Sequence, residues 1–429
     1  MHARCSSGAA EPEILTKRDV NEYDVIVVGA RCAGAPTAML LAAKGRSVLL
    51  LERDAMPSNM AHSTHLIHPL GVAYLRDWGL LDALAARATS FTDWTVDLHG
   101  AKLHGPPPPV SGMAHSLAPR RDILDGALAD AAERAGAELR SNCRVSDLIF
   151  ANGRVVGVRG KDKAGREFSA RAQLVIGADG PASMVAKCAG AAEHHVEPPL
   201  QSNIWSYWRG VPIDHLHITI RAGAGAFAFP SSDGSVLVSA NLMHGDFLKA
   251  RRHKEAAFHA MLKRIAPELA AALAEGEQID RFYSGCTRSF VRRAWGPGWA
   301  LVGDAGMKKD PVTAQGIASA FASADMLVTA VDRGLGDARN VADEETLAAE
   351  LTEFERARDD WLLPYYDFTL RLAAFAKPDP ELAAFNQALS RDAEGRAQLF
   401  GAVSLAFSPE ELMTPSNMKR ILARVDALS

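Results

Sequence analysis

Residues 24–53, DVIVVGARCAGAPTAMLLAAKGRSVLLLER, constrain the fold more than any other stretch of the chain. Asp24–Val28 is a short apolar run of the kind that forms a buried parallel strand. Gly29-Ala30-Arg31-Cys32-Ala33-Gly34 follows as a turn. The spacing predicts a helix over Pro36–Lys44, with Pro36 in the first turn, where a missing N–H costs nothing, and Gly45 ending it. Ser47–Leu51 is a second apolar strand, closed by Glu52. Gly34 and Glu52 are 18 residues apart, close to the separation of the pyrophosphate turn and the ribose-binding acid in a dinucleotide site. A pyrophosphate is stabilised by the unpaired N–H groups and positive end of a helix N-terminus. It approaches only where no side chain blocks the backbone, which accounts for Gly29 and Gly34. Glu52 can accept two hydrogen bonds from an adenosine ribose and would repel a 2′-phosphate, so the unit suits FAD or NAD better than NADP. Arg31 stands where G-x-G-x-x-G has its middle glycine. Either the phosphates lie further out, or the Arg31 charge helps to bind them.

The remaining chain is long enough for two or three domains. At 429 residues, 48% hydrophobic and 23% charged, it has ample material for a core. A net charge of −4 argues against a nucleic-acid surface. Five scattered cysteines without a C-x-x-C point to a reducing compartment and a cytoplasmic protein. Residues 1–20 are polar and mixed in charge and read as a loose tail, not a signal peptide. No run approaches 18 consecutive apolar residues, so no membrane span is expected.

Along the chain, the pattern predicts helices over Val72–Leu84 and Arg120–Gly136, with several short strands over 138–177. Asn152-Gly153 reads as a hairpin turn, and so does Asp233-Gly234. Residues 200–245 alternate in the β manner, 250–276 are helical, Trp299–Val302 is a strand, Ile317–Val331 is a helix, and 343–429 is mostly helical. The expected organisation is an α/β protein whose Rossmann-like nucleotide domain is discontinuous. Its parts are 21–110 and 111–195, then 291–340, with a β-rich substrate domain inserted at 196–290 and a helical C-terminal region at 341–429.

Three separated motifs together resemble one family. They are the glycine turn with Glu52, the Asp-Gly motif VIGADGPAS at 175–183, and the Gly-Asp motif ALVGDAGMKKDPVTAQGIASAFASADML at 300–327. The chain resembles the para-hydroxybenzoate hydroxylase-type FAD-dependent oxidoreductases, a superfamily that includes geranylgeranyl reductase-like and halogenase branches. The resemblance covers about residues 22–335. It implies FAD as cofactor, held by Gly29, Ala30, Arg31, Ala33, Gly34, Glu52, Arg53, Arg121, Val145, Asp179 and Gly180. It implies that Asp304 binds ribose or ribityl hydroxyls, and that Pro311, Ala314, Gly316 and Ile317 form the turn against the flavin. A helix N-terminus there can stabilise negative charge on a reduced flavin. The chain departs from the family at Ala186, where the Asp-Gly motif usually ends in arginine, and at Gly306-Met307-Lys308, where Ala-Ala-His is common.

The resemblance implies an FAD-dependent monooxygenase that hydroxylates a medium-sized organic substrate, an aromatic one included, with molecular oxygen through a flavin hydroperoxide. NAD(P)H would be a transient co-substrate, since Gly223-Ala-Gly225 lacks the helix of a second nucleotide fingerprint. The alternative is a reductase or dehydrogenase of carbon–carbon double bonds, with a halogenase less favoured because the spacing around Trp205 and Trp208 does not match that branch. Trp205, Tyr207, Trp208, Phe227 and Phe229 are expected to line the substrate pocket. His65 and His68 are candidates for proton transfer, against a purely structural role. A metal among His62, His65 and His68 is disfavoured because no acidic or cysteine ligand lies nearby. Lys308 and Lys309 are either cations beside the flavin turn or a solvated pair. A separate reductase stays open, and the C-terminal helices suit a lid, a homodimer surface or plain support.

Overall fold

The computed structural model describes residues 21–58, 60, 63–336 and 344–426; the 1–20 tail and His62 lie outside the described residues. Five parallel strands make the centre, in the order Trp299–Leu301, Glu167–Gly177, Asn21–Val28, Val48–Leu51 and Glu138–Arg140. Val25 lies between Val48 and Leu174 in the register, and Gly177 between Val28 and Leu301. Alternate residues of these strands serve two different cores, as the period of two requires. Val25, Val27 and Leu50 pack under the helices Gly34–Ala43, Arg121–Arg134 and Gly316–Leu335. Ile26, Leu49 and Val175 pack on the other face against Leu148, Val155 and Val158 of an antiparallel hairpin. The turn of that hairpin is Asn152-Gly153, both at positive φ (49° and 77°), as the type I′ turn demands.

The protein is thus an α/β fold with a Rossmann-like nucleotide domain. One expected helix is broken: 72–84 is two helices, Pro69–Asp77 and Leu81–Ala85, separated around Gly79 at φ +69°.

The second large sheet runs Glu277–Gln278, Gln201–Arg209, Val236–Met243, Ala224–Pro230, Leu216–Arg221, Trp94–Leu98, Ala101–Gly105. It therefore takes two strands from well outside 196–290, joined by parallel pairing of Leu216–Ile220 with Trp94–Leu98. Both faces are covered. On the outer face Ile204, Trp208 and Val238 pack against Phe258, Leu262 and Leu269 of the helices Lys254–Ile265 and Pro267–Ala274. On the inner face Trp205, Tyr207 and Phe229 share a core with Val312, and with Phe385, Phe400 and Val403 of the C-terminal helices. Among the described residues, no helix is long and apolar enough to cross a membrane.

Candidate functional site

The glycine turn, the Gly-Asp turn and the start of the helix Gly316–Leu335 converge at the carboxyl ends of the parallel strands, the usual ligand edge of an open α/β sheet. Gly29 has φ +102°, and a Cβ there would lie 2.5 Å from the Ala178 carbonyl oxygen. A Cβ on Gly34 would lie 1.7 Å from the Gly29 carbonyl oxygen. Both glycines are thus demanded by the chain's own backbone, over and above any phosphate. No side chain caps the helix Gly34–Ala43, although its first residues are buried. The helix at Gly316 is likewise uncapped by side chains. These two N-termini fit the anionic and polar parts of a dinucleotide.

Glu52 is buried, and its carboxylate accepts hydrogen bonds from Ala30 N (3.0 Å) and Asp54 N (3.1 Å). The Arg31 guanidinium turns toward this acid, 3.7 Å from Glu52 and 2.6 Å from Asp54. Arg53 is half-exposed and pairs with Asp54. Arg121 does not reach out freely: Asp125, one turn on and fully buried, holds its guanidinium at 2.8 Å and also accepts from Ser58 Oγ and contacts Cys32 Sγ. Val145 is buried beside a bulge in its strand. The Asp179 carboxylate is occupied with its own chain, accepting from Ser183 Oγ and from Met184 N and Val185 N at the start of the helix Met184–Cys188. Gly180, at φ +79°, is left with open space beside it.

The Gly-Asp turn packs directly on the glycine turn, Gly303 against Ala33. Lys308 Nζ lies 2.7 Å from Asp304. Downstream, Asp310 caps a single turn, Pro311–Thr313, by accepting from Val312 N. Ala314 then takes a left-handed conformation at φ +52°, and the helix with Ile317 in its first turn begins at Gly316. Asp310 was not anticipated from the sequence, though an acid just before Pro311 is a recognisable capping signal. It is tied to the second large sheet by a buried chain: Gln201 Nε2 donates to Asp310, Asn241 Nδ2 to Gln201 Oε1, and Ser239 Oγ to Asn241 Oδ1. Burial pushes the Asp310 carboxyl up to about 6.

Lys309, beside it, is partly buried. Its ammonium donates to Gln315 Oε1 (2.8 Å) and Ser319 Oγ (3.2 Å), and burial lowers its pKa to about 7. The Gln315 amide in turn donates to the carbonyls of Ala402 and Val403 in the C-terminal helix Ala393–Ser404.

Both candidate histidines are fully enclosed. His68 Nε2 lies 2.8 Å from the Thr313 carbonyl, so it carries the proton and holds the Pro311–Thr313 turn. Burial lowers its pKa to about 4. His65 contacts the other side. Ser231 donates to the Ala118 carbonyl, so its oxygen accepts from His65 Nε2 at 2.8 Å. His65 Nδ1 is then an acceptor, 3.4 Å from the Tyr207 hydroxyl. Burial, with Arg120 nearby, lowers the His65 pKa to about 3. The Arg120 guanidinium stands 4.0 Å above the Tyr207 ring. Both imidazoles are neutral near pH 7, as hydrogen-bond relays rather than charged acids.

Of the five expected pocket aromatics, Tyr207 stacks on His65, Phe229 meets His65 edge-on, and Trp205 stacks on Tyr283, all on the inner face. Phe227 is half-buried at the margin of that cluster. Trp208 is a correction. Strand alternation turns it to the outer face, stacked on Phe258 at 5.3 Å and edge-on to Phe282, so it does not join the inner-face cluster. Gly223 sits in the hairpin turn between Leu216–Arg221 and Ala224–Pro230 at φ +75°, and Gly225 lies in the second of these strands, where a Cβ would meet the Phe375 ring.

Residues 22–353 match the family model described as FAD binding domain. Among curated proteins, the chain is 26% identical over 314 residues to digeranylgeranylglycerophospholipid reductase of Methanosarcina acetivorans, covering 70% of this chain and 72% of that one. It is 26% identical over 394 residues to digeranylgeranylglycerophospholipid reductase 2 of Methanopyrus kandleri, covering 86% and 91%. The fold is similar to that of the flavin-dependent brominase Bmp2, with TM-score 0.78, 19% identity and coverage of 95% and 100%. It is also similar to pqsL, described as a probable FAD-dependent monooxygenase from Pseudomonas aeruginosa, with TM-score 0.67, 20% identity and coverage of 89% and 99%.

Proposed function

We propose, for a chain that belongs to the FAD binding domain family and is an FAD-dependent oxidoreductase, that its reaction is monooxygenation of a medium-sized, largely apolar organic molecule. When bound, FAD supplies the redox chemistry and the protein supplies placement, polarity and dryness. The two uncapped helix ends at Gly34 and Gly316, with Glu52 and Asp304, would hold it. NAD(P)H, bound transiently, is the proposed reductant.

The observation that carries this reading is the dryness of the inner face. Tyr207, Phe229, Leu66 and Val312 share one core, and His65 and His68 are 2% and 1% exposed. Oxygen transfer to carbon needs a site from which water is excluded. Within it, the hydroxyl of Tyr207 donates to His65 Nδ1, which leaves the phenol oxygen to accept from a substrate hydroxyl or amine. Neutral His65 fixes that orientation through Ser231, and neutral His68 holds the turn at Thr313.

The curated relatives favour a second reading, reduction of a carbon–carbon double bond. There the same Tyr207–His65 pair would deliver the proton that accompanies a hydride. One experiment separates the two. The flavin-loaded enzyme is given NAD(P)H and a panel of phenols, aryl amines and prenylated compounds, with and without labelled oxygen gas. Substrate-stimulated oxygen uptake with label in the product supports monooxygenation. Anaerobic turnover to a product heavier by two hydrogens replaces it with the reductase reading.

A further inference from the structure

Where the chain leaves the second large sheet at Met243, it enters the helix His244–Ala250, a single turn Arg251–His253 and then the helix Lys254–Ile265. The last of these packs Phe258, Leu262 and Ile265 against the outer face of the sheet. The helix and turn before it contain no buried residue.

What this segment presents to solvent is one-sided in charge. Residues 244–264 carry six lysines and arginines against two acids, Asp246 and Glu255, in a chain whose net charge is −4. Lys249 pairs with Asp246 at 2.8 Å. Lys249, together with Arg264 of the following helix, lowers the Asp246 pKa, so the two helices bring their bases to one side. Arg251, Arg252 and Lys263 are exposed, with no ion pair among the described residues. Among these bases stands Leu248, 45% exposed and one of four large apolar side chains that are exposed among the described residues. It precedes Arg251 and Arg252 by three and four positions, so it shares their side of the helical run. At the root of the same helix, His244 N donates to the Leu200 carbonyl, and Leu200 and Met243 lie at the margin of the inner-face core.

An aliphatic tip inside a collar of bases fits a lipid surface better than a protein or a nucleic acid. A protein partner is anchored through aromatic or arginine side chains seated in pockets, and a nucleic acid gains nothing from an exposed leucine. A bilayer accepts an aliphatic side chain at any lateral position and supplies anionic charge without needing a matched contour.

We propose that Leu248, Lys249, Arg251, Arg252, Lys263 and Arg264 form a surface that docks the protein on an anionic lipid bilayer, with the leucine entering the headgroup layer. Docking is independent of which reaction the flavin performs. It turns the margin of the inner-face core, at Leu200 and Met243, toward the layer in which apolar molecules dissolve.

The test sediments the FAD-loaded full chain with vesicles of phosphatidylcholine alone, or of phosphatidylcholine with phosphatidylserine. The protein should partition to the second and not the first, and less as sodium chloride is raised. Arg251→Gln combined with Arg252→Gln should weaken partitioning about 25-fold, about fivefold for each base. Leu248→Asn should weaken it about tenfold. Lys163→Gln, at an exposed base on another hairpin, should leave it unchanged. All of these positions are exposed, so flavin content and Tm should match the parent protein. Equal partitioning to neutral vesicles, no partitioning to either, or equal losses from Lys163→Gln overturns the proposal. Capture on soluble polyglutamate as tight as on the vesicles, with Leu248→Asn without effect, overturns it in favour of an acidic macromolecule.

Discussion

Gly303 sits so close to Ala33 that a Cβ on the glycine would lie 2.6 Å from the alanine Cβ. Two motifs 270 positions apart therefore meet with no room for a methyl group. Gly303 is also at φ +59°, a conformation that L side chains resist. Gly303→Ala should destabilise the fold by about 1–3 kcal/mol and lower the flavin content of purified protein. Urea unfolding and the ratio of flavin to protein absorbance measure both. Full flavin content with unchanged stability would mean that the two turns can part freely.

The buried histidines should make the protein acid-labile. His65 and His68 have folded pKa values of about 3 and 4, well below the unfolded value of about 6.5. Between pH 6.5 and 4 the unfolded chain binds more protons at these sites, so stability falls as pH falls. The slope is about 1.4 kcal/mol per pH unit for each histidine. Asp310, raised to about 6, opposes this: the folded chain binds the extra proton between pH 6 and about 3.8, so its term favours folding as pH falls. Over pH 6–4 Asp310 should therefore offset the slope of one of these two histidines, while His217, lowered by burial to about 4, adds a slope in the same direction as theirs. His68→Gln, which keeps a donor for Thr313, should flatten the net slope in unfolding curves taken at several pH values.

Removing the Tyr207 hydroxyl should affect turnover and spare the flavin. Tyr207→Phe is expected to lower kcat about tenfold where the phenol orients substrate by a hydrogen bond, and about 100-fold or more where it delivers a proton, with FAD occupancy and Tm little changed. Steady-state kinetics beside flavin content would test this, and an unaltered kcat would remove Tyr207 and His65 from the chemistry.

Trp208 and Phe229 should separate by face. Trp208→Ala opens the outer core against Phe258 and Phe282 and should cost about 3–5 kcal/mol, with KM for substrate unchanged where the protein remains folded. Phe229→Ala, on the inner face, should raise KM. A substrate panel at 15 °C with both variants distinguishes them; a KM effect from Trp208→Ala would show that substrate reaches the outer face.

The nucleotide half was legible because its signals are local. A strand, a turn and a helix N-terminus within thirty residues declare themselves through periodicity and glycine spacing. Even there the meaning of Gly29 and Gly34 was incomplete, since the nearest obstacles to a Cβ are backbone oxygens of Ala178 and Gly29. The pairing of Leu216–Ile220 with Trp94–Leu98 had no sequence signal, because strand partners distant in the chain are chosen by burial, not by neighbours. Trp208 was readable: residues 205 and 207 share one face of a strand, and 208 must take the other. The burial of Asp125 was not readable, since burial of a charge is settled by packing that local pattern does not encode.

The Gln315 amide, one end on Lys309 and the other on the carbonyls of Ala402 and Val403, has a consequence for protein engineering. The C-terminal helices are joined to the 309–316 segment partly through a side chain whose two ends are not interchangeable, beside the Thr313–Thr369 hydrogen bond and the packing of Val312. A chimera that borrows its nucleotide half from one homologue and its tail from another must bring a matching amide and matching carbonyls together, or it leaves the Lys309 ammonium and two carbonyls short of a hydrogen-bond partner. Gene-level recombination in this family should therefore respect a junction that no sequence segment contains whole.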